Sequence, residues 1–184
     1  MSGVLLTLSP PLYHQALFGG ILGEHVILEV YDPTIEDSYI KHCRVDDVDY
    51  QFNILDCAGD DETTALRELY TRKCQGILLV YDITNRSTFN DVDSFREECC
   101  RKRNSGRIPV VLCGNKTDLA ARRAVTTEEG KALADTFGWP FIETSARTGE
   151  NVEEAFFTVL RTYRSNLNDN DDDDDDEKKK CIIC

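Results

Sequence analysis

No lysine or arginine precedes Lys41, and the chain holds one methionine, one tryptophan and five prolines in 184 residues. The missing basic residues leave the apolar stretch 12–28 without the charged start of a secretory leader. Gln15, Glu24 and His25 interrupt that stretch. No apolar run approaches the roughly 18 residues that a bilayer-spanning helix needs. Excess positive charge is also absent. The formal net charge is −13, which argues against a nucleic-acid partner held through phosphates. These absences lead to the expectation of an intracellular protein with reduced thiols. The eight cysteines fit, since they are scattered at 43, 57, 74, 99, 100, 113, 181 and 184 and show no paired framework. Cys181-x-x-Cys184 is a lone pair without the second half of a zinc site.

What is present reads as alternating strands and helices. Apolar runs at 50–55, 76–83, 108–113 and 140–143 predict strands. Between them, 63–73, 89–103, 127–138 and 151–166 carry helical patterns. Thr126 and Glu129 have the spacing of a capping box, and Gly138 that of a helix stop. In the last helix Val152, Ala155, Phe156, Val159, Leu160 and Tyr163 form a core-facing stripe. Continuous apolar strands between helices predict an α/β fold, its mostly parallel sheet covered on both faces. Ligands of such sheets bind at the carboxyl ends of the strands. The acidic run 169–177 cannot build a core and is expected to be a disordered tail.

The strand 108–113 ends in Gly114-Asn115-Lys116-Thr117-Asp118, which resembles the guanine-reading N-K-x-D motif of GTPases. A carboxylate can accept from both guanine N1–H and its 2-amino group. Adenine has an acceptor where guanine has its N1 donor, so Asp118 would reject it. The aliphatic stem of Lys116 can cover one face of the base. The next strand ends in Glu143-Thr144-Ser145-Ala146-Arg147, similar to the E-T-S-A-K segment of Ras. Upstream, Asp56-Cys57-Ala58-Gly59 resembles the D-x-x-G motif. The stretch Tyr31-Asp32-Pro33-Thr34-Ile35-Glu36-Asp37-Ser38-Tyr39 reads as the Ras switch I and effector loop. Residues 24–166 thus resemble a Ras-subfamily G domain, with six strands expected.

That resemblance implies a molecular switch that binds GTP or GDP with Mg²⁺ and acts in signal transduction. It implies base contacts from Asn115, Lys116, Asp118, Ser145, Ala146 and Arg147. It also implies a Mg²⁺ site of Thr34 and, through water, Asp56, with Gly59 and Thr34 sensing the γ-phosphate. The implied partners are Ras-type effectors, exchange factors and GTPase-activating proteins. Behind Lys178–Lys180, the ending Cys181-Ile182-Ile183-Cys184 is a C-a-a-X pattern. It predicts prenylation of Cys181 and lipid anchoring to the cytoplasmic face of the plasma membrane or an endomembrane. One lipid gives only marginal anchoring. The three lysines add about 1 kcal/mol each against anionic lipid, and the adjacent acids oppose them.

Two departures separate the chain from the family. Residues 1–23 replace the strand, G-x-x-x-x-G-K-[ST] loop and helix that cradle the phosphates. Val4–Leu8 can still form the central strand and Tyr13–Leu22 a helix, but Pro10 and Pro11 stand between them, with no lysine and no glycine. Proline lacks the N–H such a cradle uses. Losing four or five charge-assisted bonds of about 1.5–3 kcal/mol each forfeits roughly the free energy of a nanomolar complex, about 12 kcal/mol. Asp60 also stands where the family has the glutamine that orients the attacking water. Three readings follow: a working GTP hydrolase switch, an effector-binding module without tight nucleotide binding, or a Ras GTPase whose first 23 residues are a misread exon.

Overall fold

The computed structural model describes residues 5–7, 37–58, 74–101, 108–168 and 180–183. The expected helices at 13–22 and 63–73 lie outside them. Strand β1 is Leu5–Thr7, β2 Asp37–Val45, β3 Val48–Ala58 and β4 Ile77–Asp82. Then follow helices α1 (Arg86–Asn90) and α2 (Val92–Arg101), strand β5 (Val110–Asn115) and a 3₁₀ segment (Thr117–Arg122). Helix α3 (Thr127–Phe137), strand β6 (Phe141–Thr144), helix α4 (Val152–Asn168) and strand β7 (Lys180–Ile183) complete the chain.

The strand order is β2-β3-β1-β4-β5-β6, so the short β1 is central as expected. It pairs in parallel with β3 (Leu5 opposite Asp56) and with β4 (Leu6 opposite Leu79). Among the described strands, only β2 and β3 pair antiparallel. The turn between them is Asp46-Asp47, both at positive φ (50° and 64°). That is the two-residue primed turn whose twist matches the flanking strands.

All of β4 and β5 is buried. Leu78 and Val80 point to a core closed by Val152, Phe156 and Val159 of α4. Ile77, Leu79 and Tyr81 point to the opposite core, with Val92 and Phe95 of α2 and Ala134 of α3. The period of two along a strand divides the apolar run between two faces, each covered by helices. Of the predicted α4 stripe, Val152, Ala155, Phe156, Val159 and Leu160 are buried and Tyr163 is half-buried. The Thr126–Glu129 capping box forms, and Gly138 ends α3 at φ 69°. Among the described helices none is long and apolar enough to cross a membrane.

Three details differ from expectation. The helix predicted over 89–103 starts earlier, at an Asn85 cap whose side chain accepts from Ser87 N, and is divided at Asp91. Asp37–Tyr39 of the expected effector loop belong to β2. The sheet has seven strands among the described residues instead of six, and the acidic run 169–177 lies outside those residues. Helix α4 continues to Asn168, and Lys180–Ile183 pairs in parallel with Gln51–Ile54 of β3. The two isoleucines suit a strand. On β3, β1 covers only Asp56–Ala58 and leaves the stretch before it to β7.

Candidate nucleotide-binding site

The parallel strands β4, β5 and β6 end side by side, with Asp82 opposite Asn115 and Asn115 opposite Thr144. Their carboxyl ends carry the site. Asn115 is buried, and its Oδ1 accepts from Lys116 N (2.8 Å), Ala146 N (3.0 Å) and Thr144 Oγ1 (3.3 Å). One side chain therefore ties the loop after β5 to the loop after β6. Lys116 occupies the left-handed region at φ 77°, which turns the chain sharply into the 3₁₀ segment.

That turn brings Asp118 back toward β6. Ser145 Oγ donates to Asp118 Oδ1 at 2.6 Å, and Arg147 Nη1 lies 3.8 Å from Oδ2. The side chain of Asp118 is 14% exposed and that of Arg147 68%. Ser145 Oγ also accepts from Thr148 N (3.2 Å), and Ser145 N bonds Glu150 O (3.0 Å). A fixed, nearly buried carboxylate beside a cation is suited to a ligand that presents adjacent N–H donors. Five of the six expected base-contact residues are linked by these bonds. Arg147 joins them through its ion pair alone.

The ammonium of Lys116 is bonded to Asp82 Oδ2. Asp82 Oδ1 is held in turn by Thr84 N (2.8 Å) and Thr84 Oγ1 (2.7 Å). The lysine head is thereby anchored to the end of β4, and the side chain is buried. A second pair braces the floor. Arg123 donates to both Glu143 oxygens (2.5 and 3.1 Å), which pushes its guanidinium up from its usual range. Behind Asn115, Cys113 Sγ lies 3.1 Å from Thr144 Oγ1, and burial pushes its thiol up to about 12.

Asp82 and Arg123 lie outside the N-K-x-D and E-T-S-A-K segments. The only signal for Asp82 is its place at the carboxyl end of a buried apolar run. Of the residues expected on the phosphate side, Thr34, Gly59 and Asp60 lie outside the described residues, as do Tyr31–Glu36 of the effector loop. Asp56 is placed by its backbone, opposite Leu5 of β1 and Asp37 of β2.

The sequence matches the Ras family over residues 24–165. The chain belongs to the Ras family. Among curated relatives, the Ras-like protein rasB of Dictyostelium discoideum is 46% identical over 142 residues, covering 77% of this chain and 72% of the relative. Ras-like proteins rasX and rasW of the same organism are 49% and 50% identical over 131 residues, 71% of this chain. The match spans 62% and 61% of those two relatives, a little under two thirds of their length. Ras-family proteins bind GTP or GDP with Mg²⁺, and the fold here is the family's α/β G domain.

Proposed function

We propose that this Ras-family chain binds guanine nucleotides through its base-recognition half and acts in signalling at a membrane. The observation that carries this reading is the Ser145–Asp118 bond. It fixes a carboxylate at 2.6 Å from a hydroxyl of the neighbouring loop, with Asn115 clamping both loops behind it. Asp118 would take guanine N1–H and the 2-amino group, and the stem of Lys116 would cover the base. Ala146 N–H now bonds Asn115 Oδ1, and the guanine O6 would share that donor. Mg²⁺, held by Thr34 and through water by Asp56, would neutralise phosphate charge. Hydrolysis is slow in this reading, because Asp60 places an anion where the attacking water must be oriented. Cys181 carries the isoprenyl anchor, and effectors, exchange factors and GTPase-activating proteins are the partners.

The phosphate side is the weak half. With no lysine before Lys41 and prolines at 10 and 11, the base contacts supply most of the affinity. Titration calorimetry with GDP and GTP plus Mg²⁺ should give a Kd weaker than about 1 μM, with no binding of ATP. Nanomolar binding would refute this account of residues 1–23. Absence of all binding would favour a second reading, a nucleotide-independent effector module. One observation supports that alternative: β2 is an edge strand, and its Ile40 is 63% exposed.

A further inference from the structure

The last strand raises a question the nucleotide site does not answer. Strand β7 lies on the same edge of β3 as β1, because the other edge is paired with β2 along its length. Ile183 stands opposite Ile54 and Leu5 opposite Asp56. The two short strands therefore run end to end in one lane of the central sheet. Cys181, the expected lipidation residue, is the register partner of the fully buried Phe52.

The topology makes this docking easy to reach. Helix α4 packs on the face that holds Phe52 and Ile54, and it also contacts β7. It follows β6 and so runs back toward the end of the sheet where a strand parallel to β3 begins. Residues 169–179 bridge α4 and β7, and a chain of that length can span up to roughly 36 Å.

We propose that β7 is a latch: while Lys180–Ile183 is paired with β3, Cys181 is withheld from lipidation. The inference rests on the reading of Cys181 as an isoprenylation site. In that reaction the cysteine sulfur displaces diphosphate from C1 of an isoprenyl diphosphate. A C–S bond forms, a C–O bond breaks, diphosphate leaves, and the thiol proton passes to solvent. The transferase must enclose residues 181–184 as a free extended peptide. A backbone already bonded along β3 cannot lie in that cleft as well, so transfer waits for β7 to open. Opening is within reach. The strand has four residues, parallel pairing is the weaker kind, and the acidic link before it repels itself.

The test compares the full chain with a synthetic heptapeptide of residues 178–184. Amide exchange at 180–183 should be at least about ten-fold slower in the full chain than in the peptide. Transfer from a labelled isoprenyl diphosphate by a protein isoprenyltransferase should be slower by a similar factor. Lys180→Pro removes one backbone N–H from β7 and leaves residues 181–184 unchanged. It should raise the rate on the full chain several-fold and leave the rate on a matching peptide unaltered. If the peptide reacts and the full chain keeps pace, or if 180–183 exchange as fast as in the peptide, the latch is wrong and the lipidation site stands. If the peptide takes no isoprenyl group, the lipidation reading fails and the latch fails with it.

Discussion

Lys116 and Asp82 form a buried ion pair across the ends of β5 and β4, their side chains 9% and 4% exposed. The carboxylate is itself oriented by Thr84. Breaking a buried pair by removing one partner costs about 3–5 kcal/mol. Asp82→Asn keeps the shape and removes the charge. Urea denaturation should show a loss of about 3 kcal/mol, with guanine-nucleotide affinity falling as the lysine stem loses its anchor.

Asp118 decides which base is read. In Asp118→Asn an amide replaces an acceptor-only carboxylate, so guanine loses at least one bond. Xanthine, with a carbonyl in place of the 2-amino group, gains a donor to meet. Calorimetry should show guanine-nucleotide affinity down by more than about ten-fold, the equivalent of roughly 1.4 kcal/mol, with xanthosine nucleotides now the better ligands. Ser145→Ala frees the same carboxylate to turn and should cost about 1 kcal/mol of binding.

Tyr81 is fully buried, and among the described residues its hydroxyl makes no hydrogen bond. It lies over Gly130, where an added Cβ would collide with that oxygen and come within 2.6 Å of Phe141 Cζ. This explains a glycine inside α3, where helix propensity alone would favour alanine by about 1 kcal/mol. Tyr81→Phe should therefore be neutral or stabilising, by up to about 1 kcal/mol. Gly130→Ala should destabilise by about 1–3 kcal/mol. In the Tyr81→Phe background the cost of Gly130→Ala should shrink, and thermal melts of all four proteins give the coupling.

Glu129 accepts from both Arg86 Nη atoms (2.6 and 3.0 Å) and from Thr126 N (2.8 Å). The hydrogen bonds from Arg86, and then those from Thr126, hold its carboxyl down at about 2 against an ordinary 4.5. Because the folded value is lowered, its contribution is fully present above about pH 4.5 and is lost as pH falls toward 2. Acid unfolding followed by circular dichroism should be less steep over that window in Glu129→Gln than in the unaltered chain.

Much of this site can be read without coordinates. Asn115, Lys116, Asp118 and Ser145–Arg147 are legible through their resemblance to the N-K-x-D and E-T-S-A-K motifs, which fall at the ends of β5 and β6. Strands β4 and β5 and helix α4 are equally plain, since burial on both faces of a sheet leaves a continuous apolar run and burial along one stripe of a helix leaves a period near 3.6. Strand β2 left none. Lys41 and Cys43 are half-buried, Ile40 is exposed, and its turn is Asp-Asp instead of the Asn-Gly or Asp-Gly that marks such hairpins. Asp82 stayed hidden because its role depends on Lys116, distant in sequence. Strand β7 exists only because of the lane left open beside β3, and no local pattern of four residues reports that.

The shared lane of β1 and β7 also sets an order of events during synthesis. Strand β3 receives one neighbour from the opening residues of the chain and another from near its close. On the ribosome, the hairpin of β2 and β3 can form early and locally. The rest of the β3 edge must wait until Lys180–Ile183 has emerged. Contacts so remote in sequence form slowly, and a strand edge exposed in the interval invites pairing with another chain. Completion of the central sheet is therefore the step at which a nascent chain would be most open to strand exchange with its neighbours.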